Sequence, residues 1–206
     1  MMNINNVKNL YALGHAEWYD PFKKIWNRLV ATKAEENLTV FLKTNLDETK
    51  SILELGCGTA LNLEKILTLN LKFKKYLGLD FSPDMLKIAK SKFEDVSNVK
   101  FQQKDITYLE DIDEKFDIII CTWVLSHLPS PSQVINQAQK LLSPQGRLFL
   151  IFFSKPKWFV NIWLYPFAKY LFKTNPLSDK EVSKFMNVKT KHKFSANITT
   201  IVVIHK

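Results

Sequence analysis

The chain has 206 residues, 46% hydrophobic and 24% charged, which argues against a disordered or fibrous protein and suffices for one large domain with a full core. The net charge of +9 is unevenly placed: residues 155–206 carry ten lysines against Asp179 and Glu181, whereas 1–154 hold 19 basic and 18 acidic side chains. No run approaches the ~18 apolar residues of a membrane span, and with Arg28 and Arg147 the only arginines, the basic tail lacks the planar forks that read base edges.

Taken in chain order, 7–30 and 32–45 read as two N-terminal helices, with Asp20-Pro21 as a break or kink. Ser51–Leu55 reads as the first strand and Leu61–Leu69 as the helix after it. Lys75–Leu79 is a second strand ending at Asp80. Ser82-Pro83 opens the next helix, Ser as cap and Pro at its first position, with Met85, Leu86, Ile88 and Ala89 on its apolar face. Val99–Gln103 is a third strand, and Phe116–Cys121, with three consecutive isoleucines, a fourth buried on both faces. Pro131–Leu142 reads as a helix, Ser143-Pro144-Gln145-Gly146 as a turn and Arg147–Phe153 as a fifth strand. The segment 155–173 carries seven aromatic side chains and a Pro166 kink. Asp179–Met186 is a short helix, and Val188–Phe194 with Ile198–His205 an antiparallel pair joined at Ser195-Ala196-Asn197. Alternating strands and helices predict an α/β fold with a mainly parallel sheet.

Ser51–Ala60 is the most informative stretch: an apolar strand ends in Glu54, then Gly56-Cys57-Gly58, then a helix start. Glycines permit a sharp turn and close approach of a ligand to bare backbone, and the first N–H groups of a helix point outward from such a turn. A dinucleotide fingerprint would require a third glycine where Leu61 stands.

Five runs together resemble the class I S-adenosylmethionine-dependent methyltransferases. Glu54-Leu55-Gly56-Cys57-Gly58-Thr59 is similar to that family's first motif, and Leu77–Leu86 to its second-strand motif. Gln102-Gln103-Lys104-Asp105-Ile106 is similar to its adenine-side motif, Phe116–Cys121 to its fourth strand, and Leu141–Leu148 to the run into its fifth. Ala60 departs from the family's frequent third glycine, and Gln145 stands where a glycine is common.

The resemblance implies a Rossmann-like seven-stranded sheet, mostly parallel with the last strand antiparallel and helices on both faces. It implies one domain over 1–206: a helical cap (1–45), a cofactor core (51–153), an aromatic lid (155–173) and a closing helix and strand pair (178–206). S-adenosyl-L-methionine is the implied cofactor. Its methionyl part would lie on Gly56, Cys57 and Gly58, its ammonium on Glu54 and its ribose on Asp80. Phe81 and Met85 would wall the adenine, Asp105 would accept its amino group, and Ile106 would pack on the ring. Thr122 and Trp123 would form the floor between donor and acceptor. His127 is placed to act as the general base; Tyr11, His15 and Tyr19 would close over the cofactor.

The four histidines and two cysteines show no metal-ligand spacing, so no metal site is expected. The acceptor is expected to be small, apolar or lipid-like, with the aromatic segment and the lysines of 155–206 lining a pocket or resting on an anionic membrane. A nucleic-acid-directed methyltransferase and a cofactor-binding module without catalysis are the alternatives. Cysteine usage and the absence of a basic-then-apolar start lead to the expectation of a cytoplasmic protein, or one peripheral at the membrane.

Overall fold

The structure is a computed structural model, and it describes residues 31–155 and 174–206. The helix expected over 7–30, with Tyr11, His15 and Tyr19, and the aromatic stretch 156–173 lie outside the described residues.

The elements in chain order are α1 (Thr32–Asn45), β1 (Ser51–Leu55), α2 (Leu61–Thr68), β2 (Lys75–Asp80), α3 (Pro83–Lys92), β3 (Val99–Gln103), β4 (Phe116–Thr122) and a single 3-10 turn (Leu125–His127). They continue with α4 (Pro131–Lys140), β5 (Leu142–Phe153), α5 (Asp179–Val182), β6 (Val188–Phe194) and β7 (Thr199–His205). The seven strands form one sheet in the order β3-β2-β1-β4-β5-β7-β6. β3, β2, β1, β4 and β5 run parallel, and β7 is antiparallel to both neighbours. The expected fold class, a mostly parallel Rossmann-like sheet with its last strand reversed, is borne out.

The three isoleucines of β4 explain how the layers hold. Ile118 and Ile120 join Leu38 and Leu42 of α1, Leu63 and Ile66 of α2 and Ala89 of α3 in one core. Ile119 and Cys121 point the other way, into a core with Val134, Ile135 and Ala138 of α4 and Val182 of α5. Alternate residues of a strand face opposite sides, so a strand covered by helices on both must be apolar throughout. Each such buried side chain contributes about 1.5–3 kcal/mol relative to exposure.

Ser82 caps α3 as the sequence predicts, its hydroxyl accepting the Met85 N–H at 3.3 Å, with Pro at the start of the helix. Three expectations are corrected. α4 ends at Lys140, and residues 143–146 are part of β5 rather than a separate turn. Leu142 pairs with Phe116 and Arg147 with Ile118, so four residues bulge opposite Asp117 alone. Burial of Leu142 beside Phe116 starts the strand early, and Gly146 permits the fold-back, since a Cβ there would lie 2.9 Å from the Phe116 carbonyl. The short helix closes after Asp179–Val182, not at Met186; it opens with a capping box between Ser178 and Glu181, and Asn187 at φ 54° turns the chain into β6.

Asp117 clamps the end of the sheet at which β1 and β4 begin. Its Oδ2 accepts from the Ser51 amide at 2.9 Å and the Ser51 hydroxyl at 2.8 Å, and its Oδ1 from Ser143 Oγ at 2.8 Å. Burial pushes this carboxyl up, but the bonds from Ser51 and Ser143 outweigh it and leave the group below its usual 3.8. Asp117→Ala is expected to destabilise the protein by about 1–3 kcal/mol, chiefly by orphaning the Ser51 amide, read as a lower urea midpoint. Because the folded-state value is depressed, this stabilisation is present above the ordinary carboxylate range and is lost as pH falls toward the folded value. The gap between wild type and variant therefore narrows below about pH 4.

Candidate functional site

The order β3-β2-β1-β4-β5 reverses direction between β1 and β4, and at such a switch point the carboxyl ends of the strands open a crevice. The turn after β1 enters it with φ +69° at Gly56 and +55° at Gly58. Both are left-handed values that glycine adopts without strain. The amides of Gly56 and Cys57 both donate to the Leu79 carbonyl, at 2.8 and 2.9 Å, and Gly58 N–H donates to Asp80 Oδ2 at 2.8 Å. These amides hold the turn to the end of β2. What the turn leaves open is space: a Cβ added at Gly58 would meet no atom within 4 Å, whereas one at Gly56 would lie 2.4 Å from a Val124 methyl.

The crevice spans about 870 Å³ of space, the open solvent at its mouth included. It gathers Gly56, Gly58, Asp80, Phe81, Met85, Asp105, Ile106, Thr122 and His127, all singled out from sequence, together with Trp123. Asp80 is nearly buried, with Oδ1 accepting the Ser82 amide at 2.9 Å; burial raises its carboxyl, and the Ser82 and Gly58 amides oppose the rise. Asp105 is exposed and turns Oδ1 to the amide and hydroxyl of Thr107, at 2.9 and 2.7 Å. His127 sits half-buried at the end of the 3-10 turn.

Glu54 and Cys57 are placed differently. They line an adjoining cavity between α1 and α2 that meets the first along Gly56, Thr122 and Trp123. Glu54 is 2% exposed, and its two oxygens accept from Asn62 Nδ2 at 2.8 Å and from the Tyr76 hydroxyl. Burial pushes its carboxyl up to about 7; the bonds from Tyr76 and Asn62 hold it down, while Asp80 and Glu35 push it further. The Cys57 thiol is buried, with its Sγ 2.9 Å from where a Cβ on Gly78 would stand, and burial raises it well above its ordinary value. Cys57 therefore offers no thiolate to either cavity.

Some residues of the crevice were given no role by the sequence. Lys104 reaches Asp111 at 2.6 Å and lies over the Tyr108 ring, while Val124, Leu128 and Pro129 line the far end of the crevice. Trp123 adopts φ +67°, strained for a non-glycine residue, and its indole N–H donates to Glu35 of α1 at 3.3 Å. Gln137 of α4 substitutes for a neighbouring strand: its Oε1 accepts from Leu109 N–H at 2.8 Å and its Nε2 donates to the Thr107 carbonyl at 3.0 Å, which pins the Asp105 loop. Among the described residues no cluster of His, Cys, Asp and Glu could hold a metal ion.

Comparison with known proteins bears on this crevice. Residues 53–148 match a family model described as a methyltransferase domain. The mitochondrial ubiquinone biosynthesis O-methyltransferase of Saccharomyces cerevisiae is 27% identical over 89% of this chain and 60% of its own length. The ubiquinone biosynthesis O-methyltransferase of Coxiella burnetii is 30% identical over 67% of this chain and 58% of its own. The chain thus spans about 60% of the length of the curated relatives it matches. In fold it resembles the magnesium protoporphyrin IX methyltransferase of Synechocystis, solved with bound S-adenosylhomocysteine, at TM-score 0.70 and 18% identity over 99% of this chain and 100% of that one. A glycine opening on empty space, beside a carboxylate at the end of β2, fits a nucleoside bearing an amino-acid tail. The matched domain, the sheet order and this crevice all resemble those of the class I S-adenosylmethionine-dependent methyltransferases.

Proposed function

We propose that this chain is an active methyltransferase that methylates an oxygen of a small, apolar or lipid-like acceptor. The observation that carries the reading is the continuity of one crevice: Gly58, Asp80, Asp105 and Ile106 at one end, Trp123, Val124, His127, Leu128 and Pro129 at the other. When bound, the cofactor supplies a methyl carbon made electrophilic by its sulfonium. The protein's share is position, dryness and proton handling.

Asp80 accepts the Gly58 amide on one oxygen and the Ser82 amide on the other, and its remaining acceptor capacity serves the ribose hydroxyls. Asp105 gives one oxygen to Thr107 and the other to the adenine amino group. Phe81, Met85 and Ile106 pack on the base, and Gly56, Cys57 and Gly58 offer backbone to the methionyl part. Glu54 takes the ammonium from the adjoining cavity, across the wall that Gly56 and Thr122 share. His127 accepts the proton of the acceptor hydroxyl, and the apolar side chains around it exclude water. The names of the O-methyltransferase relatives support an oxygen acceptor. A lipid-like acceptor would bring peripheral membrane contact through 155–206, whose aromatic part lies outside the described residues. No helix among the described residues is long and apolar enough to cross a membrane. The nucleic-acid alternative is weakened at β6, where Lys191 and Lys193 are both paired with Asp179, at 2.8 and 2.7 Å.

Incubation with methyl-labelled cofactor and cell extract is expected to put label into an organic-extractable small molecule. Label in RNA or protein instead, or bound cofactor without any transfer, overturns the reading. Asp80→Ala is expected to weaken cofactor binding at least tenfold by calorimetry, about 1.4 kcal/mol, and unchanged affinity would count against the ribose assignment. His127→Gln is expected to lower kcat by about 10²–10⁴-fold with cofactor affinity unchanged; an unaltered kcat removes the base role.

A further inference from the structure

We propose that Asn62 is a positioning residue for the cofactor: its side-chain amide ties Glu54 at the end of β1 to Thr122 at the end of β4, and so presents Glu54 to the cofactor's ammonium group. The inference rests on the reading above, in which Glu54 is the ammonium acceptor.

Asn62 is the second residue of α2, buried at 7% exposure, directly after the glycine turn. An amide nitrogen carries two hydrogens. Here one goes to Glu54 Oε1 at 2.8 Å and the other to Thr122 Oγ1 at 3.0 Å. A single side chain thereby spans two strand ends on the wall where the two cavities meet. With the Tyr76 hydroxyl on Oε2, each Glu54 oxygen has a donor. The charged and titratable groups facing Glu54 are Tyr76 and Asp80 of β2, Glu35 of α1 with its partner Lys65 of α2, and the thiols Cys57 and Cys121. Hydrogen bonds to the charged form offset the cost of burying it. Without the amide, Glu54 would keep its proton to higher pH and meet an ammonium group as a neutral acid. A side chain that merely filled space would show no such pH dependence.

The test uses the full chain and two probes in parallel by calorimetry from pH 5.5 to 8.5. S-adenosylhomocysteine carries the amino-acid tail; 5′-methylthioadenosine has the same nucleoside and lacks it. Their affinity ratio isolates the tail, because both present the same ribose to Asp80. In the wild type the ratio is expected to rise with pH, by up to tenfold per unit, and to level off above about 7. In Asn62→Leu the midpoint is expected to move up by about one unit, making the tail-bearing probe about tenfold weaker at pH 6.5 and within twofold of wild type at pH 8.5. Asn62→Ser, a milder change that also drops the amide, should behave alike should the leucine variant fold poorly. An equal loss at every pH, or a loss shared by both probes, makes Asn62 structural and overturns the inference while leaving the cofactor reading intact. Failure of the wild type to bind either probe overturns the cofactor reading itself.

Discussion

The carbonyl of Leu79 accepts two amides, Gly56 N–H and Cys57 N–H, and the rest of the site depends on that pairing. It locks the turn after β1 onto the end of β2. Asp80, the next residue along, is then within reach of Gly58 N–H, and its carboxylate closes a second link between the same two segments. β1 and β2 are already paired from Ser51–Lys75 to Leu55–Leu79, so the ladder continues past the sheet into the crevice. The glycines matter less for offering donors than for letting the chain fold back tightly enough to reach that carbonyl. Gly58 alone then leaves a gap over the backbone that a ligand can enter.

Two desolvated carboxylates, Glu54 and Asp80, sit near one another across this turn, and burial raises both. Such an arrangement is costly unless every oxygen finds a donor. Amides serve Asp80, and Asn62 and Tyr76 serve Glu54. A cationic ligand is the natural complement to a pair held in this way: it lowers the cost of ionising Glu54, and a neutral analogue does not. Charge complementarity and the pH dependence of binding thus have one physical source.

Much of the fold was legible in the sequence because local and global signals agree. Ser51–Leu55, Val99–Gln103 and Val188–Phe194 have the predicted boundaries: the first is a mainly apolar run, the other two open on Val-Lys alternation, and turn residues adjoin them. The bulge at 143–146 was not legible. Ser-Pro-Gln-Gly carries ordinary turn chemistry, and only the distant Phe116, pairing with Leu142, draws the residues into β5. Most crevice residues follow from motif position. Asn62 and Gln137 do not: an Asn in a first helical turn or a Gln on a helix has no mark distinguishing a buried amide bridge from a solvated one. Nor does any sequence signal place Glu54 and Cys57 in the adjoining cavity rather than the main crevice, because only the three-dimensional course of β1 and α2 decides which side of Gly56 they face.

The two ends of the crevice are mechanically joined. Val124 occupies the space that a side chain at Gly56 would need, so the donor-side turn and the chain leaving β4 are in van der Waals contact. That chain leaves β4 through Trp123 in a left-handed conformation, which costs of order 1–2 kcal/mol and persists only where its surroundings enforce it. The enforcement is visible: the Trp123 amide bonds the Ile151 carbonyl at 2.7 Å, its indole bonds Glu35, and its ring packs 5.1 Å from Phe153. Restraint from α1 and β5 therefore converges on Trp123, and Val124 beside it packs on the glycine turn. A change that relaxed Trp123 would move Val124 against Gly56 and so disturb the glycine turn at the other end of the crevice.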